Sequence, residues 1–161
     1  MMGDSLYGAQ SDWRTNTLLR GLTIQVPPSV TISRRRPNED FHLIFLKKGT
    51  NTVLTIYLGN QADFPARAAA NSLKVENING LKAETLMRSE PGGTSARDVL
   101  LHLREDAVWP QRMHCWYTGL DREVAAEADR IISSVRFGTP PTTSVRSPPR
   151  PQSGRSYPSA Q

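Results

Sequence analysis

Apolar and polar residues alternate along most of this chain with a period of two, the spacing of a β-strand that buries one face. Leu22, Ile24 and Val26 alternate with Thr23 and Gln25, Pro27-Pro28 interrupt, and Val30, Ile32 and Arg34 resume the pattern. Proline cannot donate to a strand ladder, so two strands are predicted to meet at a proline corner. The stretch "FHLIFLKKGTNTVLTIYLG" holds two apolar runs, 41–46 and 53–58, around a Lys/Gly/Thr/Asn turn. Both faces of each run are apolar, which places them in the middle of a sheet.

Downstream, "NQADFPARAAANS" breaks the alternation and predicts a short helix near 65–72. Asn79-Gly80 then joins "LKVENI" to "LKAETLMR" as a hairpin, the dipeptide being suited to a tight turn with positive φ. "SEPGGTS" turns the chain into "ARDVLLHLRE", and "DAVWPQ" leads into "RMHCWY". The C-terminal half therefore reads as a meander of four strands with short antiparallel connections.

After Leu120 the period changes. Val124, Ala128, Ile131, Ile132 and Val135 fall on one face at helical spacing, with Arg122, Glu123, Glu127, Asp129 and Arg130 opposite. Asp121 suits the N-cap, with Thr118 of a capping box as the alternative, and Gly138 lies just past the predicted end near Phe137. The fold class that follows is α+β: a single-layer antiparallel sheet of about six to seven strands packed by a C-terminal helix.

Composition trims the functional field. Of the twelve prolines, half fall after Phe137, where there is no acidic residue and Val145 is the one aliphatic. That stretch has little apolar area to offset ordering, so 138–161 is predicted to be a disordered Pro/Arg/Ser-rich tail, after an N-terminal segment 1–20 and an α+β domain 21–137. Arg146, Arg150 and Arg155 supply three of the five net positive charges, which leaves residues 1–137 at about +2. Arg34-Arg35-Arg36 stands without an aromatic platform and is followed by Glu39 and Asp40, so nucleic acid is disfavoured as a partner. A single cysteine forms no internal disulfide, no apolar run reaches membrane-spanning length, and the N-terminal residues lack a signal-peptide pattern, so a cytoplasmic chain is expected.

Candidate chemistry centres on "RMHCWYTGLDREV". Adjacent residues on a strand point to opposite faces, so His114 and Cys115 cannot form a nucleophile pair, and Cys115 joins Met113 and Tyr117 in the core. Pairing Leu101 with Cys115, and Met87 with Val99, sets Glu84, His102 and His114 in one row of the outer face. Leu86, Leu100 and Trp116 then form the next row. The first set could hold a metal, and a metal-dependent enzyme built on it is the alternative function. The second is an apolar strip suited to a protein partner or a second copy. "EPGGTS" lacks the lysine of a phosphate loop, and no G-x-S-x-G, catalytic serine or cofactor motif is present. The PxxP of Pro148–Pro151 lacks a suitably placed basic residue.

The segments "GLTIQVPPSV", "FHLIFLKKGTNTVLTIYLG", "INGLKAE" and "AAEADRIISSVRF", in that order over 21–137, resemble the PsbP/DcrB-like α+β domain. That resemblance implies an antiparallel sheet flanked by helices and a non-enzymatic accessory, binding or chaperone role. The chain departs from the family pattern at Gly21-Leu22, where an aromatic is common, and in lacking an export signal. The expected function is a non-enzymatic accessory or protein-binding domain of the bacterial accessory, immunity or chaperone kind.

Overall fold

The computed structural model describes residues 12–61, 73–106 and 108–138. In chain order the elements are β1 (Arg14–Leu19), β2 (Leu22–Val26), β3 (Thr31–Arg35), β4 (Phe41–Lys48), β5 (Asn51–Gly59) and β6 (Leu73–Ile78). They continue with β7 (Leu81–Ser89), β8 (Ser95–His102), β9 (Arg112–Leu120), α1 (Arg122–Ser133) and β10 (Arg136–Phe137). The segment predicted as a short helix near 65–72 and the tail beyond Gly138 lie outside the described residues.

The strands form two antiparallel sheets rather than the single layer predicted: a large one ordered β3-β4-β5-β9-β8-β7-β6 and a small one ordered β1-β2-β10. The proline corner is real as a turn, with Val30 N donating to Pro27 O at 3.1 Å, but it carries the chain from one sheet to the other. β1 escaped prediction because only Leu18 of its six residues is buried, so no alternation marks it. The four-strand meander β6 to β9 forms as expected, and its last strand inserts beside β5. β5 and β9 are thus central, while β4 stands one strand from the edge.

α1 packs on β9, β5 and β8 and also touches β2, so the helix and the small sheet together cover one face of the large sheet. The shared core contains Ile44, Ile56, Val99 and Leu101 from that face, Ile24 and Val26 from β2, and Ile131 and Ile132 from α1. Arg34, one of the three arginines in a row, ties the sheets together: its guanidinium donates to the carbonyls of Leu18 and Thr17 at 2.8 Å each. It satisfies strand carbonyls rather than offering a free phosphate contact.

The helix starts where the sequence places it, with the Asp121 carboxylate accepting from Val124 N at 3.0 Å, but it stops at Ser133. Two consecutive serines explain the early end, because their hydroxyls compete for backbone partners. Ser133 donates to Asp129 O at 2.9 Å and Ser134 to Ile131 O at 2.6 Å. Ser134 Oγ also accepts from Gln25 N at 2.8 Å, and the chain then extends so that Arg136 and Phe137 pair with Thr23 and Leu22. The Asn79-Gly80 turn adopts positive φ at both residues, 50° and 88°. Asn79 Nδ2 further donates to the carbonyls of Ser133 and Val135, each at 2.8 Å, closing the open end of the helix.

Candidate functional site

The large sheet carries its chemistry on the face turned away from α1. Along one row lie Leu43, Tyr57, His114, Leu100 and Glu84. Along the next lie Phe45, Thr55, Trp116, Asp98 and Leu86. These rows differ from the sequence expectation because both registers are shifted by two residues: Val99, not Leu101, faces Cys115, and Thr85, not Met87, faces Val99. A two-residue slip keeps every side chain on its face, so the hydrophobic pattern is blind to it. The turns decide it. Glu90 N donates to Thr94 O at 2.9 Å, and Leu103 N to Gln111 O at 2.9 Å, which sets where each hairpin closes.

The shift splits the proposed metal set. Glu84 Oε2 meets His102 Nε2 at 2.7 Å, a diagonal contact, but His114 Nε2 lies 2.9 Å from Asp98 Oδ1. Asp98 also accepts from Arg88 Nη2 at 3.0 Å, which balances a carboxylate that is only 6 % exposed. The face thus holds two separate carboxylate–imidazole pairs. Among the described residues, no three His, Cys, Asp or Glu side chains converge as a metal ion would require.

The apolar set is also redistributed. Leu86 is 2 % exposed and so is a packed base rather than a contact residue. Leu100 and Trp116 are half-buried, but in adjoining rows rather than opposite each other. Trp116 lies against the His114 ring, centroids 4.7 Å apart. Half-buried Leu43, Phe45 and Tyr57 extend the apolar surface across β4 and β5. Arg35 sits over the Phe45 ring at 5.7 Å, and Phe41 stacks on Tyr57 at 5.5 Å. Sequence reasoning missed this extension, although the alternation in β4 and β5 already put Leu43, Phe45 and Tyr57 on one face. It also missed Asp98, whose signal was an acidic residue two positions before Leu100 in an otherwise apolar run.

Cys115 lies on the opposite face, fully buried, and burial pushes its thiol up to about 12 against the opposing pull of Arg97. A thiol reagent at pH 8 is therefore expected to modify Cys115 slowly in the native protein and rapidly after unfolding. The linkage has a definite sign. The unfolded thiol, near 9.0, releases its proton at lower pH than the folded one, so stability is lost as pH rises from about 9 to about 12. Urea titrations of Cys115→Ala across this pH range should lack that loss.

No helix among the described residues is long and apolar enough to cross a membrane. Comparison of the chain with protein-family models, with curated proteins and with solved structures found no match.

Proposed function

We propose that this chain is a non-enzymatic protein-binding domain that uses the outer face of its large sheet, with Trp116 and Leu100 as anchors. The observation that supports it is the partly exposed apolar surface of Leu43, Phe45, Tyr57, Leu100 and Trp116 on the sheet face turned away from α1. Aromatic residues in such a setting give large contact area at low entropic cost, and an ion pair at the margin, here Glu84–His102, sets register more than strength. The partner is a second copy of this chain or another protein, in an accessory role of the PsbP/DcrB-like kind. The two separated carboxylate–imidazole pairs favour this reading over a metal-dependent enzyme on Glu84, His102 and His114.

Affinity capture with wild type, Trp116→Arg and the control Ala126→Arg on the exposed side of α1, followed by sedimentation of each protein alone, tests it. Trp116→Arg is expected to weaken the partner or self-association by about tenfold or more, with Ala126→Arg unchanged. Equal recovery and equal mass for all three proteins would count decisively against this face.

A further inference from the structure

At one end of the molecule the two sheets part. The last residues of β1 and β10 on the small sheet, and the start of β7 with residues 103–106, 109 and 110 on the large one, frame a cleft of about 650 Å³. Its walls are apolar: Leu81 and Leu103 are 8 % and 7 % exposed, and Leu19 and Phe137 pack half-buried against the core. The volume falls inside the range of roughly 300–1,000 Å³ typical of small-molecule sites.

The rim carries charges of both signs, Arg20 and Arg104 with Glu105 and Asp106. Arg104 donates twice to Asp106, at 3.0 and 2.9 Å, and this bonding holds the Asp106 carboxyl below its usual range. Those two charges answer one another, and Glu105 adds a further carboxylate to the same lining. Arg20, in the turn between β1 and β2, also lines the cleft, and among the described residues no hydrogen bond or ion pair engages it. Trp109 closes the rim with its ring fixed, because Nε1 donates to Asp40 O at 2.7 Å.

We infer that this cleft binds a free amphipathic anion, an acyl chain or comparable apolar body with a carboxylate head, the body between Leu19, Leu81, Leu103 and Phe137 and the head at Arg20. The apolar walls offer little to a sugar or a nucleotide, whose many hydroxyls or phosphates would lose water without replacement. An acyl body loses nothing polar on entry, and one unpaired guanidinium suits one carboxylate.

Calorimetric titration of the full chain with sodium decanoate, with decanol as the uncharged comparison, tests the inference. Wild type should take up about one equivalent of decanoate saturably, and decanol more weakly. Arg20→Glu is an exposed change that leaves the core untouched, and it should weaken decanoate about fivefold or more while leaving decanol alone. Leu19→Glu, checked for folding by its melting curve, should weaken both. No saturable uptake by wild type up to about 1 mM would overturn the site. So would decanoate binding that Arg20→Glu leaves unchanged.

Discussion

Replacing Gly21 by alanine is expected to destabilise the fold by about 3 kcal/mol, far more than glycine-to-alanine changes at other turns of the same handedness. Gly21 has φ +82°, a conformation that costs an L-residue about 1 kcal/mol by itself. A Cβ there would also stand 2.4 Å from the carbonyl oxygen of Gly138, a backbone atom with little freedom to retreat. Gly138 N donates to Gly21 O at 2.9 Å, so any retreat loosens the pairing of β10 with β2 as well. Gly49 supplies the comparison. Its φ is +64°, but a Cβ there meets nothing within 4 Å, so Gly49→Ala should cost only the conformational part, about 1 kcal/mol. Urea denaturation of the two variants separates strain from collision. A drop for Gly21→Ala no larger than that for Gly49→Ala would mean that the β10 end yields freely.

Arg97→Ala is expected to cost a similar amount by a different route. Arg97 is 7 % exposed and projects from β8 toward α1, where its guanidinium serves three elements at once. Nε donates to Thr85 Oγ1 at 3.0 Å, Nη1 to Asp129 Oδ1 at 2.9 Å and Nη2 to Glu76 Oε2 at 3.3 Å. Tyr117 OH donates to the same Asp129 oxygen at 2.9 Å, so one carboxylate on α1 gathers two strands. Removing the arginine strands Thr85 Oγ1, which is 1 % exposed, and leaves two carboxylates without their counter-charge. Asp129 and Glu76 are 33 % and 39 % exposed and can regain water, which keeps the cost at the low end for a broken buried ion pair, about 3 kcal/mol. The aliphatic stem is lost as well. Asp129→Asn keeps the hydrogen-bond geometry and should cost only about 1 kcal/mol. Equal midpoints for wild type and Arg97→Ala would refute the structural role given to this cluster.

The sequence was most legible where one rule governed one element. Asn79-Gly80 named its turn because few other dipeptides accept positive φ at both positions, and Asp121 named the start of α1 through its short acceptor side chain. The alternation also assigned faces correctly, including the burial of Cys115 opposite His114. It could not assign partners across strands, since a period of two is unchanged by a slip of two, and so the pairs Asp98–His114 and Glu84–His102 came into view only with the ladders. The small sheet was hidden for a related reason. β1 buries one side chain, and β10 is two residues long, held by a strand more than a hundred positions earlier. Neither leaves a local periodicity. The cleft at the parting of the sheets was equally out of reach, because Leu19, Leu81, Leu103 and Phe137 come from four distant places in the chain.

The pairing of β10 with β2 also bears on how the chain is made. A ribosome releases the β1–β2 hairpin early, with Leu18, Leu22, Ile24 and Val26 unable to find α1 or Phe137 until the far end of the domain has been synthesised. At roughly 5–20 residues per second that interval lasts on the order of ten seconds. The apolar side chains of the nascent hairpin therefore wait longer for their packing partners than those of any other hairpin among the described residues.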